Sequence, residues 1–368
     1  MKKLLGTIII LYLLFLNISY VYAASSNTQT FFKAQVKKVL DEKNQETGGI
    51  KSIIQTVEVK ILDGSELGKS LQVTYGGLSR VTPQQKLIPG DTVVLLRSVN
   101  GNNTITYSIV DKYRLDSILY IALGFFLLVI TVAGTKGIGS IIGMGISLLV
   151  ILKFIVPSII AGGDPLMISI IGAIVIMITS IYLAHGFSKQ TSIAIVATAI
   201  SLIVTGLLSI SFVQMAHLSG LGNEDATMLQ FGTIAINLQG LLLGGIIIGT
   251  LGVLDDTTTT QAATIFELHK TNTKLTFEQL LKKGFSIGTE HIASLVNTLV
   301  LAYAGASLVL FIIFVINPTH QPYWVILNSE IITEEVIRTL CGSIGLVLAV
   351  PITTVIAAFS CKYTIHFS

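Results

Sequence analysis

From Leu115 to the C-terminus the chain is a succession of apolar runs, each close to the roughly 20 helical residues needed to cross a hydrocarbon layer. Lipid offers backbone groups no hydrogen-bond partner, so spanning segments of this length must be helices packed into a bundle. The runs lie near residues 115 to 135, 138 to 161, 165 to 184, 191 to 213, 234 to 255, 285 to 317 and 339 to 361, which predicts about seven transmembrane helices between 115 and 368. The sixth run is too long for one simple span. It is either tilted or broken at Ala304-Gly305-Ala306, where small residues permit a kink or close helix contact. Composition agrees, with 52% hydrophobic and only 12% charged residues, unlike an ordinary soluble enzyme.

The N-terminal third reads differently. Residues 1 to 24 carry Lys2 and Lys3, an apolar stretch from Leu4 to about Leu16, and small residues at Ala23 and Ala24, the pattern of a signal peptide or signal anchor. Residues 25 to 114 are polar and β-patterned, with runs at Phe32 to Val39, Thr56 to Ile61, Ser70 to Tyr75, Asp91 to Arg97 and Thr104 to Val110. Asp63-Gly64, Gly76-Gly77, Pro89-Gly90-Asp91 and Asn100-Gly101-Asn102 punctuate them as turns. Five short strands predict a small barrel or sandwich of OB-like type, an exported β-rich domain without a catalytic constellation. Cys341 and Cys361 both lie in the last apolar run, so neither a disulfide framework nor redox chemistry is indicated.

Charge orients the chain. If the β domain lies outside, the inner connections carry Lys136, Lys189, Lys270, Lys274, Lys282, Lys283 and Lys362. The outer ones carry Asp164, Glu224, Asp225, Glu330, Glu334 and Glu335, with Arg338 as their basic residue. This alternation follows the positive-inside rule and predicts a multi-pass protein of the plasma membrane, its β domain extracytoplasmic and its C-terminus cytoplasmic. Lys153 is the misfit, falling in the outer half of the second span. A net charge of +3 without a basic, aromatic-interleaved patch gives no reason to expect nucleic acid. Leu275 to Lys283 reads as a short amphipathic helix on the membrane surface, and Pro351 as a kink in the last span.

Ionisable groups in such a chain need a reason, because an acid at mid-helix costs roughly 2.5–3.5 kcal/mol to insert. Asp255 and Asp256 close the fifth run, with Thr259 and Thr260 four residues further on the same faces. Two outcomes are open: the pair lies at membrane depth and binds a cation or proton, or it sits just beyond the lipid and caps the next helix. Gly240, Gly244, Gly245, Gly249 and Gly252 precede the pair, forming either a stripe for close helix approach or a break that exposes helix ends to an ion. In the sixth run Glu290, Ser294, Asn297 and Leu301 share one helical face, with His291 and Thr298 beside it. Facing the aspartates, Glu290 and His291 would pass protons, while Thr259, Thr260, Ser294, Asn297 and Thr298 would line the site. Alternatively, Ser294, Asn297 and Thr298 bond helix to helix. HExxH, GxSxG and P-loop signatures are absent, so enzymatic activity is not expected, no cofactor is implied and the identity of any metal is open.

Five blocks together resemble one family: HGFSKQTSIAIVAT from 185, LSGL from 218, GTLGVLDDTTTTQAATIFEL from 249, HIASLVNTLVLAYAGASL from 291 and SIGLVLAVPITT from 343. They are similar to the YibE/F multispanning membrane proteins, and the resemblance runs from about residue 115 to the end. It implies a membrane location and a preceding exported β-rich segment, but no established activity. It also marks Asp255, Asp256, His291, Asn297 and Thr298 as recurring polar positions. Many members carry Arg and Asp immediately before the His, where this chain has Thr289 and Glu290, which removes the acid's expected partner.

The expected function is permease-like movement of a small solute or ion, through a cation or proton site between spans five and six. The alternative is a non-transporting envelope scaffold or assembly protein acting through its β domain. Expected partners are the lipid bilayer, a small solute or cation, and an envelope protein or further copies of the chain.

Overall fold

A computed structural model describes residues 29–47, 50–76, 81–99, 104–222, 224–232, 235–317 and 320–363; the expected leader lies outside them. The chain divides into two compact units, one ending at Leu128 and the other beginning at Val129.

In the first unit the five expected strands form one antiparallel sheet: β1 Thr30–Thr47, β2 Ile50–Ile61, β3 Ser70–Tyr75, β4 Thr92–Val99 and β5 Ile105–Lys112, in the order β3-β2-β1-β4-β5. Alternation dictates the core: Phe32, Ala34 and Val36 of β1 meet Val57, Val59 and Ile61 of β2 and Val93 and Leu95 of β4 on one buried face. β1 carries irregularities between Val36 and Lys38 and between Val39 and Asp41, which add the twist that curls a sheet. The result is a half-barrel whose edge strands β3 and β5 approach each other. Glu66 ties that region, accepting from Lys69 Nζ at 2.8 Å and from the Tyr107 hydroxyl at 2.7 Å, with Arg97 Nε 3.1 Å away. Those partners hold its carboxyl below the usual glutamate range, the Lys69 hydrogen bond contributing most.

The helices are α1 Leu115–Val150, a π-turn Ile151–Ile155, α2 Val156–Ile160, α3 Pro165–His185, α4 Lys189–Met215, α5 Glu224–Gln230, α6 Leu238–Thr271, α7 Phe277–Ala306, α8 Leu308–Ile316, α9 Tyr323–Leu327 and α10 Glu330–Lys362. Six are long and apolar enough to cross a membrane, counting the 46 residues from Leu115 to Ile160 as one. That first element is not straight. Gly134 leaves helical geometry (φ 59°, ψ −134°), and the chain folds back so tightly that a Cβ on Gly137 would lie 2.6 Å from the Val129 carbonyl. The kink at Gly134 divides this element near the boundary between the first two of the seven apolar runs. The sixth run is likewise two helices, parted at Ser307.

Local chemistry sets the ends. Asp164 caps α3, accepting from Met167 N at 2.9 Å, and Gly186 closes it at φ 77°. Ser188 caps α4, and Thr276 with Gln279 forms a capping box at α7. The expected surface helix at 275 to 283 is therefore the first turns of α7, whose Leu280 is buried. α10 runs on through Pro351.

α4, α6 and α10 form the centre of the second unit, with α3 against α6 and α7 against α10. Small residues allow the approach: Gly244 of α6 meets Ser169 and Pro165 of α3, Gly284 of α7 meets Thr354 of α10, and Gly345 of α10 meets Thr205 of α4. The bundle is polarised. At one end Lys189 Nζ donates to the Ser360 carbonyl and Lys362 Nζ to that of Thr273, while at the other Glu330 and Glu334 grip the Ser219–Gly222 loop. The basic and acidic connections expected on opposite sides of a membrane thus occupy opposite ends.

Candidate functional site

Asp255 stands at the middle of α6, 17 residues after Leu238 and 16 before Thr271. The helix continues for those further turns beyond the fifth apolar run, so the aspartates cap nothing. Nor is α6 broken. Its glycines serve close approach instead, Gly240 lying against Pro165 and Gly244 against Ser169.

The Asp255 side chain is half-buried and accepts a hydrogen bond from Ser180 Oγ of α3 at 2.9 Å. It borders a cavity of about 400 Å³ between α1, α3 and α6. Ser140 and Ser147 of α1, Ser180 and His185 of α3, and Asp255 and Asp256 of α6 provide its polar groups; Met144, Ile176 and Leu251 are part of its apolar wall. Asp256 is the more exposed of the two aspartates. Gly143 and Gly252 also border the space, Gly252 with no atom near where its Cβ would be. A carboxylate aligned by a hydroxyl, on one side of a space this size, can hold a cation or exchange a proton. Among the described residues no group of three or more His, Cys, Asp or Glu side chains is placed to hold a metal ion.

The threonines expected as lining are turned elsewhere. Thr259 is buried and donates to the Asp255 backbone carbonyl at 2.8 Å, the ordinary bond of a helical threonine to the preceding turn. Thr260 is exposed. Thr258, turned to α4, meets Thr198 at 2.6 Å between hydroxyl oxygens.

The stripe on α7 does not face the aspartates. Glu290, Ser294, Asn297 and Thr298 are all exposed on the outer side of the helix, because Leu280, Gly284 and Gly288 claim the inner face for α6 and α10. His291 lies between the two faces, and its Nε2 is enclosed without a hydrogen-bond partner among the described residues. Spans five and six therefore do not enclose one site. The helices bordering the Asp255 cavity come from spans two, three and five.

Sequence reasoning missed Ser140, Ser147 and Ser180 and took His185 only as a boundary mark. The available signal was slight: Ser140 and Ser147 lie three residues before and four after Gly143, and Ser180 follows Thr179 in an apolar run. It also missed the grip on the LSGL block. Glu330 accepts from Ser219 N and Oγ at 2.6 and 2.7 Å and from Gly220 N at 2.9 Å, and Glu334 from Gly222 N at 2.9 Å. Gly220 adopts φ 87° there, against the Leu238 carbonyl.

The YibE/F-like protein model matches residues 121–363, well over half of the chain. The chain belongs to the YibE/F family. No curated protein and no solved structure matches it. The match begins within α1 and takes in the other long helices, so the Asp255 cavity, the Glu330 grip and the α7 stripe all lie within the YibE/F region, while the β half-barrel precedes it.

Proposed function

We propose that this YibE/F protein is a permease-like membrane protein that moves a small solute or ion, with its cation or proton site in the cavity between α1, α3 and α6. Asp255 holds the cation or proton, Ser180 orients its carboxylate, and Asp256 and His185 exchange protons. The basic end of the bundle faces the cytoplasm and the β domain the exterior, as the positive-inside rule requires.

One observation carries the reading. Asp255 lies in the middle of a helix whose preceding residues are apolar, where an ionised side chain is costly, and borders a cavity into which Ser140, Ser147, Ser180 and His185 bring polar groups. Gly139 and Gly143 bring α1 against Leu183 and Ser180 of α3, while Gly252 leaves open space on the α6 side of the cavity, the side on which the rocking of alternating access would admit a solute. Glu290 and Asn297 have no part in this site.

The full chain is reconstituted into liposomes containing a pH-sensitive dye, and a sodium or potassium gradient is imposed. The native chain should move protons in response, and Asp255→Asn should slow this at least about tenfold while inserting normally; a factor of ten is about 1.4 kcal/mol. Ser211→Ala, exposed on α4 and bonded only to its own helix, should leave the rate unchanged. Equal rates for Asp255→Asn and the native chain, or no movement with either, would overturn the assignment.

A further inference from the structure

The polar stripe of α7 is left without an occupant by the site on α6. Glu290, Ser294 and Asn297 are exposed, and their side chains make no hydrogen bond or ion pair with any described residue. They are not at a frayed end. Gly288 of α7 lies against Gln261 of α6, and Gly249 of α6 is close to the Tyr303 hydroxyl of α7, so the stripe falls between these contacts at the depth of Asp255. Beside and beyond it the outer face mixes small residues with larger apolar ones: Ala293, Thr298, Ala302 and Gly305 are exposed, as are Val300 and Leu301. Beyond Gly288 α7 buries no residue at all.

In lipid this is inverted. A carboxyl, an amide and a hydroxyl turned towards acyl chains find no partner, whereas the apolar surface of α1 needs none. Small residues flanking polar ones form the type of surface on which membrane helices approach and hydrogen-bond to one another.

We infer that the outer face of α7 is an interface with a second copy of this chain, formed by Glu290, Ser294 and Asn297 around a two-fold axis along the membrane normal. The inference rests on the bundle being membrane-embedded, but not on the Asp255 site. The chemistry of the stripe selects the occupant. Copies inserted in the same orientation present the same residues at the same depth, and a two-fold axis sets each residue opposite itself. An amide and a hydroxyl both donate and accept, so Asn297 can pair with Asn297 and Ser294 with Ser294. Each Glu290 carboxylate can accept from the Ser294 hydroxyl of the other copy, one helical turn away.

The test uses the full chain with Cys341 and Cys361 replaced by serine and one cysteine introduced, oxidised in native membranes. Ser294→Cys should give a disulfide-linked species of twice the chain mass, and Ile203→Cys, exposed on the lipid side of α4, should stay monomeric. In liposomes carrying donor- and acceptor-labelled chains, Asn297→Leu should weaken association about threefold to thirtyfold, as expected for one lost interhelical hydrogen bond. Asn297→Gln should restore most of it, while amide exchange of α4 and α6 reports folding independently. The proposal is overturned if Ser294→Cys remains monomeric, if its linked product has another mass, or if Asn297→Leu associates like the native chain.

Discussion

The half-barrel buries an almost wholly apolar core, whereas the helix bundle buries small hydroxyl residues together with apolar ones such as Ile181, Leu254 and Leu346. In the half-barrel, Phe32, Val36, Val57, Val59, Val93 and Leu95 fill the interior and charged pairs such as Lys69–Glu66 and Lys86–Glu42 lie outside. In the bundle, Thr198, Ser201, Thr205, Ser209, Thr257, Thr258, Thr353 and Thr354 are buried, whereas Leu127, Val132, Ile203, Leu207 and Val309 are turned outward. Water drives apolar side chains together, so the barrel is held by buried area. The six long helices are apolar enough to cross a membrane, and for helices in lipid, which is as apolar as leucine, close contact through glycine and small hydroxyl residues and hydrogen bonds between helices add to the packing.

Three substitutions can break or sharpen this contrast. Leu95→Ala empties a fully buried position of the half-barrel and should cost about 2–5 kcal/mol. Amide exchange of the full chain in nanodiscs should show the loss on β1, β4 and β5 alone; equal loss of protection in α4 and α6 would mean that the two units unfold as one. Gly345→Val is the bundle's counterpart, because the added Cβ would fall 2.5 Å from Thr205 Oγ1. About 1–3 kcal/mol of destabilisation is expected, measured by refolding from detergent and relieved by Thr205→Ala. No effect would show that close approach of α4 and α10 does not hold the bundle. Thr198→Val removes one partner of the hydroxyl pair with Thr258 and should cost only about 0.6 kcal/mol, the average for an interhelical bond in membranes. A cost comparable with that of Leu95→Ala would erase the distinction between the two cores.

Much of the fold was legible because its signals are local. Alternating Val, Ile and Phe runs between Gly and Asp turns located all five strands, with β1 longer than expected because its pairing with β2 continues beyond Val39. Apolar runs placed the long helices, and Asp164, Ser188 and Thr276 are recognisable caps. Asp255 stood out because of the cost of charge in its surroundings. Its companions did not: Ser180 lies 75 residues earlier, in a run where a serine reads equally well as helix packing. The α7 stripe was recognised as a stripe but assigned the wrong direction, since periodicity tells which residues share a face and not what that face meets.

Sequence alone therefore determined the two regions, the helices and their charged ends, and the unusual position of one carboxylate. These depend on short-range periodicity and on transfer costs that each residue carries with it. Tertiary structure decided that α6 remains one helix, that Asp255 meets α1 and α3, and that Glu290 and Asn297 face away from it. Each of those outcomes depends on which small residues meet across helices distant in sequence, such as Gly244 with Ser169 and Gly288 with Gln261. Contacts of that kind leave no periodic trace in either partner.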